Sequence, residues 1–337
     1  MIRTAKDFAT IVLLMALYCA RGYGQVAAPT ILEIDIENLV QYYVDTSDLA
    51  RFATEPNATP AAPARNFREA LWIGDIVAVN GRPAKGTTVV HARGVGLSAA
   101  PSAGQAIADT VRSSIREQIF EILRTDGTPI GTILVSGLSG GATPPGAPLA
   151  QTLANSAIVG GTGAFLGARG QIGESVNAQT MASRQASITE DPANRRRNGG
   201  GTIRWVGHLI PMSRPEVVTN SNGPAVYHGA DFSLVTAAKP ARAGEVLILT
   251  ATNLGATRPG VDPGKPFPLT PLLEVNSPLD LLVNGQAVEV VNKIGWPTLE
   301  NVYRVDFRVP EGTAAGITIL QLSVAWIAGS EVKFAVQ

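Results

Sequence analysis

The chain has 337 residues with 27 basic and 27 acidic side chains, and 45% of its residues are hydrophobic against 16% charged. That length leaves room for two domains of ordinary size, and the apolar fraction excludes a disordered chain. A zero formal charge gives no electrostatic basis for a nucleic-acid partner or an anionic membrane, while 35 Gly and 23 Pro favour many turns and short strands over long helices.

Residues 1–25 read as a secretory signal. Arg3 and Lys6 open it, Ile11–Ala20 is an apolar run too short for a permanent membrane helix, and Gly22 and Gly24 follow. Bulky Tyr18 before Cys19 argues against lipid attachment and places cleavage near Gly24 or Gln25. Removing this segment deletes the single cysteine, and with it any disulfide, thiol nucleophile or thiolate metal site, and leaves 24 basic and 26 acidic residues. The expected location is outside the cytoplasm: secreted, periplasmic or at the cell surface.

From Ile31 onward, Leu32, Ile34 and Ile36 alternate with Glu33, Asp35 and Glu37, the period of a half-buried strand. A Pro-rich loop at 56–63 precedes Leu71–Val79 and Gly86–Gly96, which flank Asn80-Gly81 as the arms of a hairpin. Residues 106–124 are ambiguous, because Ile107, Val111, Ile115, Ile119 and Leu123 recur every four residues. The Asp126-Gly127 turn just beyond them resolves this to a short helix before about Thr110 and a strand from Ser113 to Arg124. Strands follow at "TPIGTILVSGL", "QTLANSAIVG" and "AFLGARGQI"; a polar loop, Ser175–Gly201, then leads to a strand at Thr202–Pro211. These make eight candidate strands in residues 26–211. Residues 212–229, with Pro215 and "TNSNGP", read as a linker. From Ala230 to Gln337, "DFSLVTA", "EVLILTATNL", "LDLLVNGQAVEVV", "YRVDFRVP", "ITILQLSVAWI" and "VKFAVQ" give about seven short strands, the pattern of a β-sandwich. The fold class is all-β.

The segment "AIVGGTGAFLGARG", Ala157–Gly170, runs from apolar residues into glycines, as a nucleotide-binding loop does. Such a loop needs a helix after the glycines and a third glycine where Leu166 stands, and "ARGQIGESVNAQT" has no apolar helical stripe. The glycines therefore read as a tight turn between antiparallel strands, and no cofactor is expected. "IVGGTGAFLGARG", with "FEILRTDGTPIGTILVSGLSGG" before it, resembles the dirigent and allene-oxide-cyclase-like barrels over about Arg116–Gln171. That resemblance implies an eight-stranded antiparallel barrel with a ligand cavity, in which the matching Arg169 steadies an oxygen-bearing ligand. Members that handle phenoxy substrates carry a carboxylate after T-G and a His-Asp pair near the first strand, where this chain has Ala164 and "ILEIDIEN". "PARAGEVLILTATNLG", "LLVNGQAVEV" and "NVYRVDFRVPEGTAAG" resemble the immunoglobulin-like C-terminal domain of secreted Solibacter-type bacterial proteins, which implies export and modularity rather than chemistry.

Alternation along "AFLGARGQI" puts Phe165, Arg169 and Gln171 on one strand face, with Arg169 either contacting a ligand or paired with a carboxylate such as Glu117. Arg204 and His208 share a face with Thr202 that either lines the cavity or meets solvent. Glu33, Asp35 and Glu37 are either a cation site or a solvated strand face. "GLSGG" matches the serine-hydrolase elbow but is followed by prolines instead of a helix. His91, His208 and His228 lack metal-ligand spacing, so no metal is expected. Arg195–Arg197 reads as a solvated run or as a loop-ordering contact. The leading expectation is a barrel that binds a small apolar or phenolic ligand, followed by an accessory domain that meets a cell-surface or extracellular partner. The alternatives are an isomerase or cyclase acting in the barrel, and a structural or adhesive protein with a filled barrel.

Overall fold

The computed structural model describes residues 30–44, 54–55, 67–95, 113–139, 156–175, 180–187, 189–262 and 264–337. The expected signal segment, the Pro-rich loop and the short helix before Thr110 lie outside the described residues. Eight strands, β1 (Thr30–Val44), β2 (Phe67–Val79), β3 (Lys85–Val95), β4 (Ser113–Leu123), β5 (Pro129–Ser139), β6 (Ser156–Gly163), β7 (Arg169–Glu174) and β8 (Gly201–Ile210), pair in sequence. β8 returns to β1 and every pairing is antiparallel, so the sheet closes into a barrel without free edges.

Local chemistry explains the turns. Asn80 and Gly81 both take positive φ (49° and 71°), as the two-residue hairpin between β2 and β3 requires. The Asn80 side chain also ties that turn to β1, accepting from Glu33 N at 2.7 Å and donating to Ile31 O at 3.1 Å. The ambiguous stretch 113–123 is strand because a spacing of four satisfies period two as well as a helix. Ile115 and Ile119 stand on the outer wall of β4, while Phe120 and Ile122 point inward.

Inward alternation builds the core. Leu32, Ile34 and Ile36 of β1 are buried, and across the wall Ile34 faces Trp205, Phe120 faces Ile133, and Ile172 faces Gly207. With Ile122, Ile158, Phe165 and Leu209 they fill one half of the barrel, each such side chain contributing at most roughly 1.5–3 kcal/mol. At Asn38, with φ 51°, the register of β1 shifts against both neighbours. Such a bulge reverses the parity of the strand: Leu39 now belongs to the barrel core, and Val40 and Tyr42 turn outward. There the short strand Arg184–Ser187 runs parallel to β1, and Ala186 packs on them.

Residues 180–187 and 189–200 thus form a strap over the end of β1. Met181 and Thr202 exchange backbone hydrogen bonds at 3.1 and 2.9 Å. Arg184 grips Glu190 with two bonds of 2.8 and 2.7 Å. Arg195, buried rather than solvated, reaches Asp75 Oδ1 at 2.6 Å and donates to Asn38 O, while Arg196 donates to Asp75 Oδ2 at 2.9 Å. The arginine run is therefore a loop anchor. Gly200 lets the strap close, since a Cβ there would sit 2.4 Å from the Asn38 carbonyl carbon.

Beyond the barrel, β9 (Val246–Thr252), β10 (Leu279–Val283), β11 (Val290–Gly295), β12 (Val302–Arg308), β13 (Gly316–Val324) and β14 (Ile327–Val336) form two further sheets, β9-β12-β11 with short flanking strands and β10-β13-β14. Phe307 of one sheet meets Phe334 of the other edge-to-face at 6.4 Å, and the arrangement is consistent with a sandwich. Within the segment read as a linker, Glu216–Val217 and Val226–His228 pair with β9. "DFSLVTA" forms no strand; Leu234 makes one isolated bridge to Tyr227. "ITILQLSVAWI" breaks at Ala325 and Trp326, which take positive φ as the turn between β13 and β14. The β4–β5 turn docks on this second unit: Arg124 donates to Asn276 O at 2.7 Å, and Asn276 Nδ2 to Pro129 O at 2.8 Å.

Candidate ligand-binding site

The second unit contacts the apolar half of the barrel, and at the opposite half the inward positions change character. Thr88 of β3, Arg116 and Gln118 of β4, and Ser156 of β6 are buried polar residues there, beside Glu174 of β7. A cavity of about 480 Å³ opens beside Thr88, Gln118 and Glu174, walled by Trp72 of β2 and Trp205 of β8, floored by Val90 and Gln118, and rimmed by Thr180–Ser183 of the strap; Arg116 and Ser156 are not part of its lining. A pocket of this size, apolar with a few fixed polar groups, has the form of a small-molecule site. The clamp on Asp75 holds the strap that supplies its rim. Burial pushes the Asp75 carboxyl up, but hydrogen bonds from Arg196, Arg195 and Asn38 outweigh that and bring it down to about 2.

Arg116 is 3% exposed. Its guanidinium carbon lies 4.5 Å from the centre of the Trp72 ring and 5.3 Å from that of Trp205, contacts that each contribute up to about 2 kcal/mol when desolvated. Its Nη1 is 3.5 Å from Glu174 Oε1, an ion pair too long for a good hydrogen bond. Burial lowers the guanidinium's pKa and Glu174 opposes the change, and an arginine stays charged throughout. Arg116 Nε and Nη1, Trp72 Nε1 and Ser156 Oγ are buried without a geometrically good hydrogen-bond partner among the described residues. Gln118 gives its amide to Thr88 Oγ1 at 3.0 Å and leaves Oε1 unpartnered. Each such group costs roughly 1–3 kcal/mol in a folded protein.

The residues singled out from sequence stand elsewhere. Gly163 and Gly167 take φ of 60° and 69° around a turn that spans Ala164–Gly167, so Phe165 is in the turn and not on a strand face shared with Arg169. Its ring is buried in the filled half. Because Ile172 faces inward opposite Gly207, Arg169 and Gln171 face outward. Arg169 donates to the carbonyls of Val159 (2.5 Å) and Ala168 (3.0 Å), and does not pair with Glu117. Glu117, between inward Arg116 and Gln118, is exposed on the outer wall. Arg204 is also outside, in a bidentate bond to Asp35 at 2.5 and 2.9 Å and 3.4 Å from Glu33. It thereby pairs with two of the three carboxylates read as a cation site. His208 sits on the same outer face, between Ile31 and Gln171, and burial lowers its pKa. Of that strand's polar face only Thr202 reaches the cavity rim. The "GLSGG" segment leaves β5 at Ser139 and continues outside the described residues.

Sequence reasoning missed Arg116, Gln118, Trp72, Trp205 and Glu174 as a group. The signal for the first two was available on β4, where "IREQIF" places Arg116 and Gln118 on the side of Phe120 and Ile122. A strand face that passes from aromatic and aliphatic to Gln and Arg is a core face that becomes a site. A second cleft, about 200 Å³, lies between the Ala164–Gly167 turn and the second unit; it is lined by apolar and small side chains with Asn253 and Asn301 and has no charged group. No protein-family model matches this chain, and neither a curated protein nor a solved structure matches it.

Proposed function

We propose that the chain is an exported binding protein whose barrel takes a small apolar or phenolic ligand, in the manner of the dirigent and allene-oxide-cyclase-like barrels, with an immunoglobulin-like accessory unit that meets a cell-surface or extracellular partner. The observation that carries the reading is the cavity of about 480 Å³ lined by Trp72 and Trp205, in a barrel whose other half is solidly filled. The glycine hairpin between β6 and β7 supports the barrel likeness, and the two further sheets support the accessory unit.

The test is a thermal-shift screen of the full chain against phenols, fatty acids and other apolar compounds. A ligand present at 100 times its dissociation constant adds about 2.7 kcal/mol to the native state, a rise in melting temperature that is readily seen. The shift should vanish in Ile203→Trp, which fills the rim. No shift across the panel would sink the reading. A second reading, an isomerase or cyclase acting in the same barrel, draws on the polar side chains of the lining, Thr88, Gln118 and Glu174. Chemical conversion of a bound hit would select it.

A further inference from the structure

In the second unit, Phe232 holds a backbone conformation that bulky residues avoid, with φ of 59°, and it stays 46% exposed. Both of its neighbours are tied down. Asp231 accepts from Ser233 N at 3.0 Å and from Ser233 Oγ at 2.6 Å, while Lys239 Nζ donates to Asp231 Oδ2 at 2.6 Å and to Ser233 Oγ. Phe232 N donates to His228 O at 3.0 Å, and His228 N to Ser233 O at 2.9 Å. The ring is thus fixed at the surface before any partner arrives, which lowers the ordering cost of binding.

Two half-buried aromatic residues flank it, Tyr227 with ring centres 5.9 Å apart and Trp296, edge-on, at 6.0 Å. Arg304 places its guanidinium carbon 5.6 Å from the Phe232 ring centre and grips Asp306 with bonds of 2.8 and 2.9 Å. Both residues stand on the outer face of β12, because Tyr303, Val305 and Phe307 between and beside them are buried inward. The charges here cancel in pairs, Arg304 with Asp306 and Lys239 with Asp231, so the surface has no complement for a charged polymer. A peptide strand finds no free edge either, since β12 is paired by β9 on one side and β11 on the other. A sugar ring suits what remains: its C–H face lies against an aromatic ring, and its hydroxyls both donate to a carboxylate and accept from a guanidinium. We infer that the second unit binds a neutral glycan at Phe232, Trp296 and Arg304; the inference rests on the accessory-unit reading above and names its partner's chemistry.

The experiment is calorimetric titration of the full chain with cellohexaose, xylohexaose, mannohexaose and maltohexaose, and with polygalacturonate and oligoproline as the charged and peptide alternatives. At least one neutral hexasaccharide should bind, with an affinity that does not fall as salt rises. Phe232→Leu, which keeps an apolar cover and removes the ring, should weaken that binding at least about tenfold, the loss expected of a central aromatic anchor. Phe232→Tyr should retain it. Lys239→Met, which frees Asp231 and Ser233 without touching the rings, should weaken it in the same direction and serves if Phe232→Leu fails to fold. Glycan binding indifferent to both variants would overturn the site. Tightest binding by polygalacturonate or oligoproline would overturn the neutral-glycan chemistry and leave the accessory-unit reading in place. Absence of binding by every probe would overturn the inference; retention of the full chain on washed bacterial cells would then keep the accessory-unit reading, and its loss in the wash would remove both.

Discussion

Replacing Asp75 by Asn tests whether electrostatics hold the strap over the cavity. In the native chain Asp75 receives Arg195, Arg196 and Asn38. The side chain of Arg195 is only 8% exposed, whereas that of Arg196 is 73% exposed. The second pair is therefore worth little in water, and the cost falls on Arg195. Stripping a buried ion of its partner costs roughly 3–5 kcal/mol, but asparagine keeps a carbonyl acceptor and Arg195 keeps Asn38 O, so about 2–4 kcal/mol is expected. The carboxyl's fall from 3.8 to about 2 gives an independent figure of about 2.5 kcal/mol. The two routes agree.

The sign follows from the direction of that shift. A carboxyl depressed in the folded state contributes stability that is fully present above the unfolded value, near pH 4, and is lost as pH falls through the folded one, near pH 2. The assay is native-state hydrogen exchange at the Thr202 amide, which bonds Met181 O across the base of the strap, together with urea unfolding at pH 7 and pH 2. Asp75→Asn should lower the opening free energy of that amide by about 2–4 kcal/mol at pH 7, and the gap between the variants should close toward pH 2. A loss under about 0.5 kcal/mol, within the range of an ordinary surface change, would refute the reasoning. A gap independent of pH would refute its electrostatic basis. Asp75→Leu with Arg195→Met should recover most of the loss, since a buried pair can be replaced by apolar groups at little cost.

Arg169→Ala should leave ligand binding unchanged and cost no more than about 1 kcal/mol in a urea melt, because the side chain bonds two carbonyls on the outer wall; lost binding would contradict the outward register of β7. Phe120→Ala, deep in the filled half and edge-on to Trp205 at 5.9 Å, should cost roughly 3–5 kcal/mol in the same melt, and a cost below 1 kcal/mol would mean that this half is not close-packed. Gly200→Ala drives a methyl into the backbone at Asn38 and should speed exchange at Thr202, an overpacking penalty of about 1–3 kcal/mol. Unchanged exchange would show that the strap does not rest there.

The strands were legible because their signals are local. Alternation from Leu32 to Ile36 and Asn-Gly at 80–81 each fix a strand or a turn within a few residues. The Ala325-Trp326 turn was not legible: neither residue is a turn former, and the positive φ at both is imposed by the pairing of β13 with β14. The placement of Arg169 failed for a parity reason. Alternation was counted forward from Phe165, but the turn takes up Ala164–Gly167 and the count restarts at β7. Counting backward from Ile172, whose side chain must be inside, puts Gln171 and Arg169 outside at once. The bulge at Asn38 hides a second reversal, so no reading of β1 as one uninterrupted alternation could assign both Ile36 and Leu39 to the interior.

Arg116 was harder, because what marks it is not its own strand but what three others bring to it: Trp72, Glu174 and Trp205 come from β2, β7 and β8. That convergence also sets this half of the barrel apart from the filled half. A buried ion pair is no better for stability than apolar side chains of the same volume, and unpartnered donors are worse. The filled half shows that this barrel can be packed with Phe, Ile and Leu. Where the same inward positions turn to Arg, Gln, Ser and Glu beside a cavity, stability alone gives no reason for the change, and the ligand site proposed here is where that cost would be recovered.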